Sequence, residues 1–291
     1  MFAGTDVYPG SAMAVGDLDR DGNMDLVVGT RDAVAGISLS ELRICNGDGG
    51  GRFICSNTRE RESDETGHPV GTNDIEVVDV NGDDYPDLLL AVESWRNEIC
   101  LNDGNGFFGC VAIEDEVAGT LAVTSADFDR NGTMDAFFAN RGTPNRICLG
   151  DGAGGFSCSD ASARLDSIQA VDTADMNNDR YPDVVLGGWG GGEEDATSQL
   201  CLSDGAGGFD CTDINRDGGA TRMLARDFNQ DGSQDALFVG NWGGALLCLG
   251  DGFGGFFCTD IDPQLTDDRG FVIERFFADG DVWGLRTWAE S

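Results

Sequence analysis

The chain has 291 residues, 53 acidic and 18 basic, with a formal net charge of −35 at pH 7. Such acidity argues against nucleic acid and anionic membrane surfaces, which attract basic patches. No apolar stretch approaches the roughly twenty residues of a membrane span, and every basic residue is Arg, a bias that fits genome composition and salt adaptation equally.

Five oxygen-rich segments recur in chain order: DLDRDGNMD (17–25), DVNGDDYPD (79–87), DFDRNGTMD (127–135), DMNNDRYPD (175–183) and DFNQDGSQD (227–235). Each has Asp at positions one and nine, and Asp or Asn at three and five. This is calcium-loop spacing, because a hard cation takes roughly six to eight oxygens and alternate residues of a curled loop point inward. The expected side-chain ligands are Asp17, Asp19, Asp21 and Asp25; Asp79, Asn81, Asp83 and Asp87; Asp127, Asp129, Asn131 and Asp135; Asp175, Asn177, Asp179 and Asp183; and Asp227, Asn229, Asp231 and Asp235. The carbonyls of Asn23, Tyr85, Thr133, Tyr181 and Ser233 at position seven, and water, complete each shell. About five Ca²⁺ would leave a net charge of about −25. An EF-hand is excluded, since its bidentate Glu at position twelve is replaced by Val28, Leu90, Phe138, Leu186 and Phe238. A solvated Asp/Asn/Gly turn is the alternative for any single copy; five copies in register favour calcium. The only glycosylation sequon, NGT at 131–133, falls on an expected ligand.

Short apolar runs follow each loop: LVVG, LLLA, AFFA, VVLG and ALFV. They read as buried strands. Downstream come ten cysteines in five pairs, ten residues apart: Cys45 and Cys55, Cys100 and Cys110, Cys148 and Cys158, Cys201 and Cys211, Cys248 and Cys258. Each pair flanks a Gly-rich turn, which would bring its members opposite one another across a hairpin, within disulfide reach. A metal–thiolate site is the rival reading, but there is no CxxC and the only His is His68. Disulfides predict an oxidising compartment, so the expected location is extracellular, secreted or in a cell-surface ectodomain. Residues 1–25 show no basic region ahead of an apolar one, so no signal peptide is read there. The start fits a mature chain, a fragment or an incomplete gene model.

The loops start at 17, 79, 127, 175 and 227, a period near fifty with four strand-like runs per unit. That predicts an all-β fold, a β-propeller of four-stranded antiparallel blades, in a single domain over 1–291. The blades are expected at about 11–57, 73–113, 120–161, 168–214 and 220–261. Residues 2–7 (FAGTDV) align with 209–214 (FDCTDI) and 256–261 (FFCTDI). A composite sixth blade is therefore expected from 270–291 with 1–8, or a seven-bladed parent if the chain is a fragment.

The DxDxDGxxD-type loops, the LVVG-like strand after them and NRICLGDGxGGF resemble the FG-GAP/VCBS repeat family, which includes the integrin α-subunit propellers. The resemblance covers about residues 11–261 and implies a propeller with calcium in the loops between strands a and b of each blade. It names no ligand, because the family includes adhesion receptors, lectins and domains attached to enzymes. The paired cysteines are an addition to the family pattern.

In such a blade the a–b loops and the cysteine turns share one face. The insertions at 31–41, 57–72 and 187–199 fall on the other, as do Arg31, Trp95, Arg96, Arg141, Trp189 and Trp242. Loops on a rigid scaffold often carry binding, and Trp and Arg are favoured contact residues. Packing of each Trp as a cap over a neighbouring blade is an equal alternative. Catalysis has little support: there is no GxSxG, and His68 lies in a polar insertion. The expected function is an extracellular calcium-binding recognition or adhesion module, monomeric and part of a larger chain, that binds glycan or protein opposite the calcium loops. The alternatives are a calcium-dependent, lyase-like polysaccharide enzyme and a non-binding structural propeller.

Overall fold

The computed structural model describes residues 12–29, 32–34, 37–61, 71–162, 167–188, 197–214, 220–240, 244–262, 271–275 and 283–287. Every regular element among them is a β-strand. The first repeat holds β1 (Ala12–Gly16), β2 (Asp25–Gly29), β3 (Asp32–Val34), β4 (Ile37–Gly47) and β5 (Phe53–Arg61). The second holds β6 (Gly71–Val78), β7 (Asp87–Trp95), β8 (Glu98–Asn102) and β9 (Phe108–Ala112). The third holds β10 (Ala118–Ala126), β11 (Asp135–Asn140), β12 (Arg146–Gly150) and β13 (Phe156–Asp160). The fourth is β14 (Ile168–Ala174), β15 (Asp183–Gly188), β16 (Ser198–Ser203) and β17 (Phe209–Ile214). The fifth is β18 (Arg222–Arg226), β19 (Asp235–Gly240), β20 (Gly244–Gly250) and β21 (Phe256–Asp262). A last antiparallel pair, β22 (Phe271–Arg275) and β23 (Trp283–Thr287), follows.

Repeats two to five are antiparallel meanders in sequence order, and in the first the order is β1-β2-β4-β5 with β3 paired to the start of β4. Each repeat is joined first by an acidic loop and last by a cysteine hairpin. The second and third repeats merge into one eight-stranded sheet, because β10 pairs with the far end of β7 through Ala118↔Trp95 and Gly119↔Glu93. The chain divides into two compact units, residues 1–165 with 205–207, and residues 166–204 with 208–291.

The core explains why the strand after each acidic loop is apolar at consecutive positions rather than alternate ones. In the first unit Leu88, Leu90 and Val92 of β7 pack with Val27, Leu42 and Ile44 of the first repeat. Leu89 and Ala91, on the opposite side of the same strand, pack with Val123, Ala136 and Phe138 of the third. A strand covered on both faces has no solvent side to demand polar residues. In the second unit Val185 and Leu200 meet Ala236, Phe238 and Leu246 in the same way.

All five cysteine pairs are disulfides between directly opposed residues of β4–β5, β8–β9, β12–β13, β16–β17 and β20–β21. The insertion at 31–41 differs from expectation. It is a strand hairpin in which β3 pairs with the start of β4 (Asp32↔Leu39, Val34↔Ile37). The alternation of Ile37 and Leu39 with Ser38 and Ser40 is the pattern that builds it. The insertion at 57–72 likewise begins as strand, since β5 runs to Arg61 and pairs there with Ser40. Residues 1–8, expected as a closing strand, lie outside the described residues, as does most of 187–199.

Candidate calcium loops

Each acidic loop is held by one repeated set of hydrogen bonds. One oxygen of the position-one Asp accepts the position-six N–H: Gly22 to Asp17, Asp84 to Asp79, Gly132 to Asp127, Arg180 to Asp175 and Gly232 to Asp227, all 2.8–3.0 Å. The Oδ1 at position three accepts the position-five N–H, donated by Asp21, Asp83, Asn131, Asp179 and Asp231. The Oδ1 at position five accepts the position-seven N–H, donated by Asn23, Tyr85, Thr133, Tyr181 and Ser233. Local side-chain bonds of this Asx type curl a chain tightly.

Such a curl needs left-handed backbone at positions four and six in every copy. The residues are Arg20 and Gly22, Gly82 and Asp84, Arg130 and Gly132, Asn178 and Arg180, and Gln230 and Gly232. Glycine takes that conformation without strain, whereas Arg20, Arg130, Arg180 and Gln230 adopt it at a cost that the loop bonds offset.

Position nine works differently. The residue is 1 % exposed in Asp25 and 0 % in Asp87, Asp135, Asp183 and Asp235. The Oδ2 accepts the position-two N–H of Leu18, Val80, Phe128, Met176 or Phe228. The Oδ1 accepts the N–H of the residue two past the first hairpin Cys: Gly47, Asn102, Gly150, Ser203 or Gly250, at 2.8–2.9 Å. Each position-nine Asp thus ties its loop to the disulfide hairpin, which puts both at one end of the sheet. Burial, joined by nearby carboxylates, pushes Asp87 and Asp183 up to about 6 against the pull of their N–H donors. Burial likewise raises Asp135 and Asp19.

The donor set fits a hard cation. One oxygen each of Asp17, Asp19 and Asp21 lie within 4.8 Å of one another, and so do oxygens of Asp127, Asp129 and Asp135. Asp17 Oδ1 and Asp127 Oδ1 are buried without a hydrogen-bond donor. A buried carboxylate oxygen with no partner is costly, and a cation at the ring centre satisfies it.

The sequence pointed to fewer functional acids than the structure uses. Asp48, Asp103, Asp151, Asp204 and Asp251 open the cysteine hairpins, and each Oδ1 accepts an N–H across the turn, such as that of Phe107, Gly155 or Gly208. These donors hold Asp48, Asp103, Asp151 and Asp251 below the ordinary carboxylate range. The DG opening of each turn was the available signal.

On the expected ligand face, Trp95 is half-buried against the core between the first and second repeats. Arg96 donates from Nε to the Asp115 carbonyl and pairs with its carboxylate at 3.7 Å. Arg141 donates to Glu93 Oε1 at 2.6 Å. Arg31, Trp189 and Trp242 lie outside the described residues.

A family model described as FG-GAP-like repeat matches residues 79–138 and again 127–186. Residues 79–186 carry FG-GAP-like repeats. Each FG-GAP match runs from one acidic loop to the strand beyond the next, and the two matches are offset by the 48 residues that separate the loops. No curated protein matches the chain. Among solved structures, the intramolecular trans-sialidase from Ruminococcus gnavus is similar at 13 % identity and a TM-score of 0.43, over 68 % of this chain and 46 % of that one. The V. cholerae biofilm matrix protein Bap1 is similar at 9 % identity and a TM-score of 0.48, over 93 % and 45 %. The chain spans less than half the length of either.

Proposed function

We propose that this protein is an extracellular, calcium-stabilised recognition or adhesion module. Its five loops each hold one Ca²⁺, through the side chains at positions one, three, five and nine and the carbonyl at seven. The observation that carries this reading is the buried, donor-less oxygen of Asp17 and Asp127 inside a ring of acceptors. Calcium here is structural: it neutralises carboxylates that the fold forces together, and millimolar extracellular calcium suits loops of this kind. Five disulfides among five hairpins support an oxidising location.

The finer architecture we propose is a propeller of five blades, with a sixth closed by 270–291 and 1–8. FG-GAP repeats and the packing of successive sheets within each unit support it. The module is non-enzymatic and binds glycan or extracellular protein on the face opposite the loops, through Trp189 and Trp242 with Arg31. The packing of Trp95 against the core favours a cap role for it, and Arg96 and Arg141 are engaged in surface ion pairs within the chain; together these favour the second reading, a structural propeller of a larger chain.

A glycan-array screen in millimolar calcium and again in chelator tests the reading. Calcium-dependent binding lost in Trp189→Ala and Trp242→Ala is the expected result. Silence in both conditions would leave the structural role.

A further inference from the structure

The five acidic loops fall into two alternating classes. Loops 17–25, 127–135 and 227–235 have Gly at position six and are followed by Gly47, Gly150 or Gly250 two past the hairpin Cys. Loops 79–87 and 175–183 carry Tyr-Pro at seven and eight, and are followed by Asn102 or Ser203. In the first class a Cβ at Gly47, Gly150 or Gly250 would overlap the position-eight carbonyl of Met24, Met134 or Gln234. In the second repeat position eight is Pro86, and the Asn102 side chain occupies the site and donates to the Pro86 carbonyl at 3.1 Å.

Asn102 does more than fill that space. It is 2 % exposed. Its Nδ2 donates to the carbonyl of Leu18, position two of the first loop, at 2.8 Å. Its own N–H donates to Asp87 Oδ1, position nine of the second loop, at 2.8 Å. Leu18 N–H in turn donates to Asp25 Oδ2, position nine of the first loop, at 2.8 Å. A three-bond buried path therefore joins the two position-nine carboxylates. A second, exposed link lies beside it: Arg20 sits 5.6 Å from the centroid of the Tyr85 ring and 3.6 Å from the Asp84 carboxylate.

We propose that Asn102 couples cation binding at loops 17–25 and 79–87, so that filling one raises the affinity of the other. The inference rests on the calcium reading above. Two effects oppose one another. A cation in the second loop weakens the negative potential that draws one to the first, but salt screens this at physiological strength. A cation in the second loop tightens the Asp87 clamp that is already in place, which tightens Asn102 and the Leu18 peptide, so the first loop loses less freedom when it closes. The second effect wins, and the coupling is reciprocal, on the order of fivefold.

The test is calcium titration of the whole chain at physiological salt, read by amide resonances. Gly22 N–H, bonded to Asp17, reports the first loop, and Asp84 N–H, bonded to Asp79, reports the second. Asp83→Ala removes a ligand of the second loop and is expected to raise the calcium midpoint at Gly22 about fivefold. With Asn102→Ser in the background, that shift disappears. A Gly22 midpoint unmoved by Asp83→Ala, or moved equally with and without Asn102, overturns the coupling. Asn102→Gly, the residue that three other repeats carry, replaces the serine variant if that one fails to fold, and an unmoved Gly22 midpoint in Asp83→Ala still overturns the coupling if both fail. Amides that ignore millimolar calcium would instead overturn the calcium reading itself.

Discussion

Asp135 and Gly150 meet across the third repeat: the Gly150 N–H donates to Asp135 Oδ1 at 2.8 Å, while Asp135 Oδ2 takes the N–H of Phe128. One buried carboxylate therefore fastens loop to hairpin whether or not a cation is present. Asp135→Ala leaves two buried N–H groups without an acceptor, at about 1–3 kcal/mol each. The side chain of Asp129, also an expected ligand, is held locally, by the N–H and the side-chain amide of Asn131. In chelator, urea unfolding is expected to show Asp135→Ala strongly destabilised and Asp129→Ala close to the parent. In calcium, Asp129→Ala should fall as well. Equal effects of the two substitutions in chelator would show that position nine has no separate clamp role.

Gly150 has a second constraint. A Cβ there would run into the Met134 carbonyl oxygen, and both groups are main chain, so neither can step aside cheaply. Gly150→Ala is expected to cost about 2–4 kcal/mol, within the range of overpacked core positions. Gly132→Ala in the loop meets nothing within 4 Å and suffers only from its positive φ of 88°. It should cost less, by about half, in the same unfolding measurement. The reverse order would place the tight point in the loop rather than at the hairpin.

The disulfides close short loops across already paired strands. For Cys148 and Cys158, ten residues apart, the chain-entropy estimate is about 3 kcal/mol. Replacing both with Ala should lower stability by about that amount in denaturant unfolding, with the hairpin retained through the Asp151 bonds to Ala153 and Gly155. A loss below about 1 kcal/mol would mean that the turn, not the bridge, holds the hairpin.

Much of this was legible in the sequence because it repeats. The D-x-D/N-x-D/N-x-x-x-D spacing and the ten-residue cysteine interval each recur five times, and the structure places loops and disulfides as those intervals predict. The left-handed backbone at Arg20, Arg130 and Gln230 was not legible, since nothing in an Arg or Gln announces positive φ; only Gly22, Gly132 and Gly232 two residues on hinted at it. The hairpin β3–β4 was readable from Ile37–Leu39 alternation, yet an insertion in a repeat invites a loop assignment. Asn102 gives no signal alone. Its role emerges only when the Pro86 carbonyl and the neighbouring Leu18 carbonyl are seen on either side of it.

The buried carboxylates also set a pH dependence for the cation-free protein. Asp87 and Asp183 rise from the ordinary carboxylate value to about 6, chiefly through burial. A raised carboxylate binds its proton more tightly when folded, so its stabilisation is fully present below the unfolded pKa near 4. It is lost as pH climbs through about 6, on the order of 2–3 kcal/mol for each residue. Asp48, Asp103, Asp151 and Asp251 are shifted the other way, and their contribution is lost only as pH falls below the ordinary carboxylate value. In chelator, Tm is therefore expected to peak near about pH 4, to decline up to about pH 7 and to level off beyond. High salt separates this from the repulsion of a chain carrying −35, because salt screens surface charge far more than buried carboxylates. The decline should persist at 0.5 M NaCl, an ionic strength chosen on the order of several times physiological. Millimolar calcium should flatten it by compensating the ionised forms of Asp87 and Asp183. A chelated protein whose Tm holds level from pH 5 to pH 8 in high salt would show that these two carboxylates are ionised at no cost, and that the loops close without help from a cation.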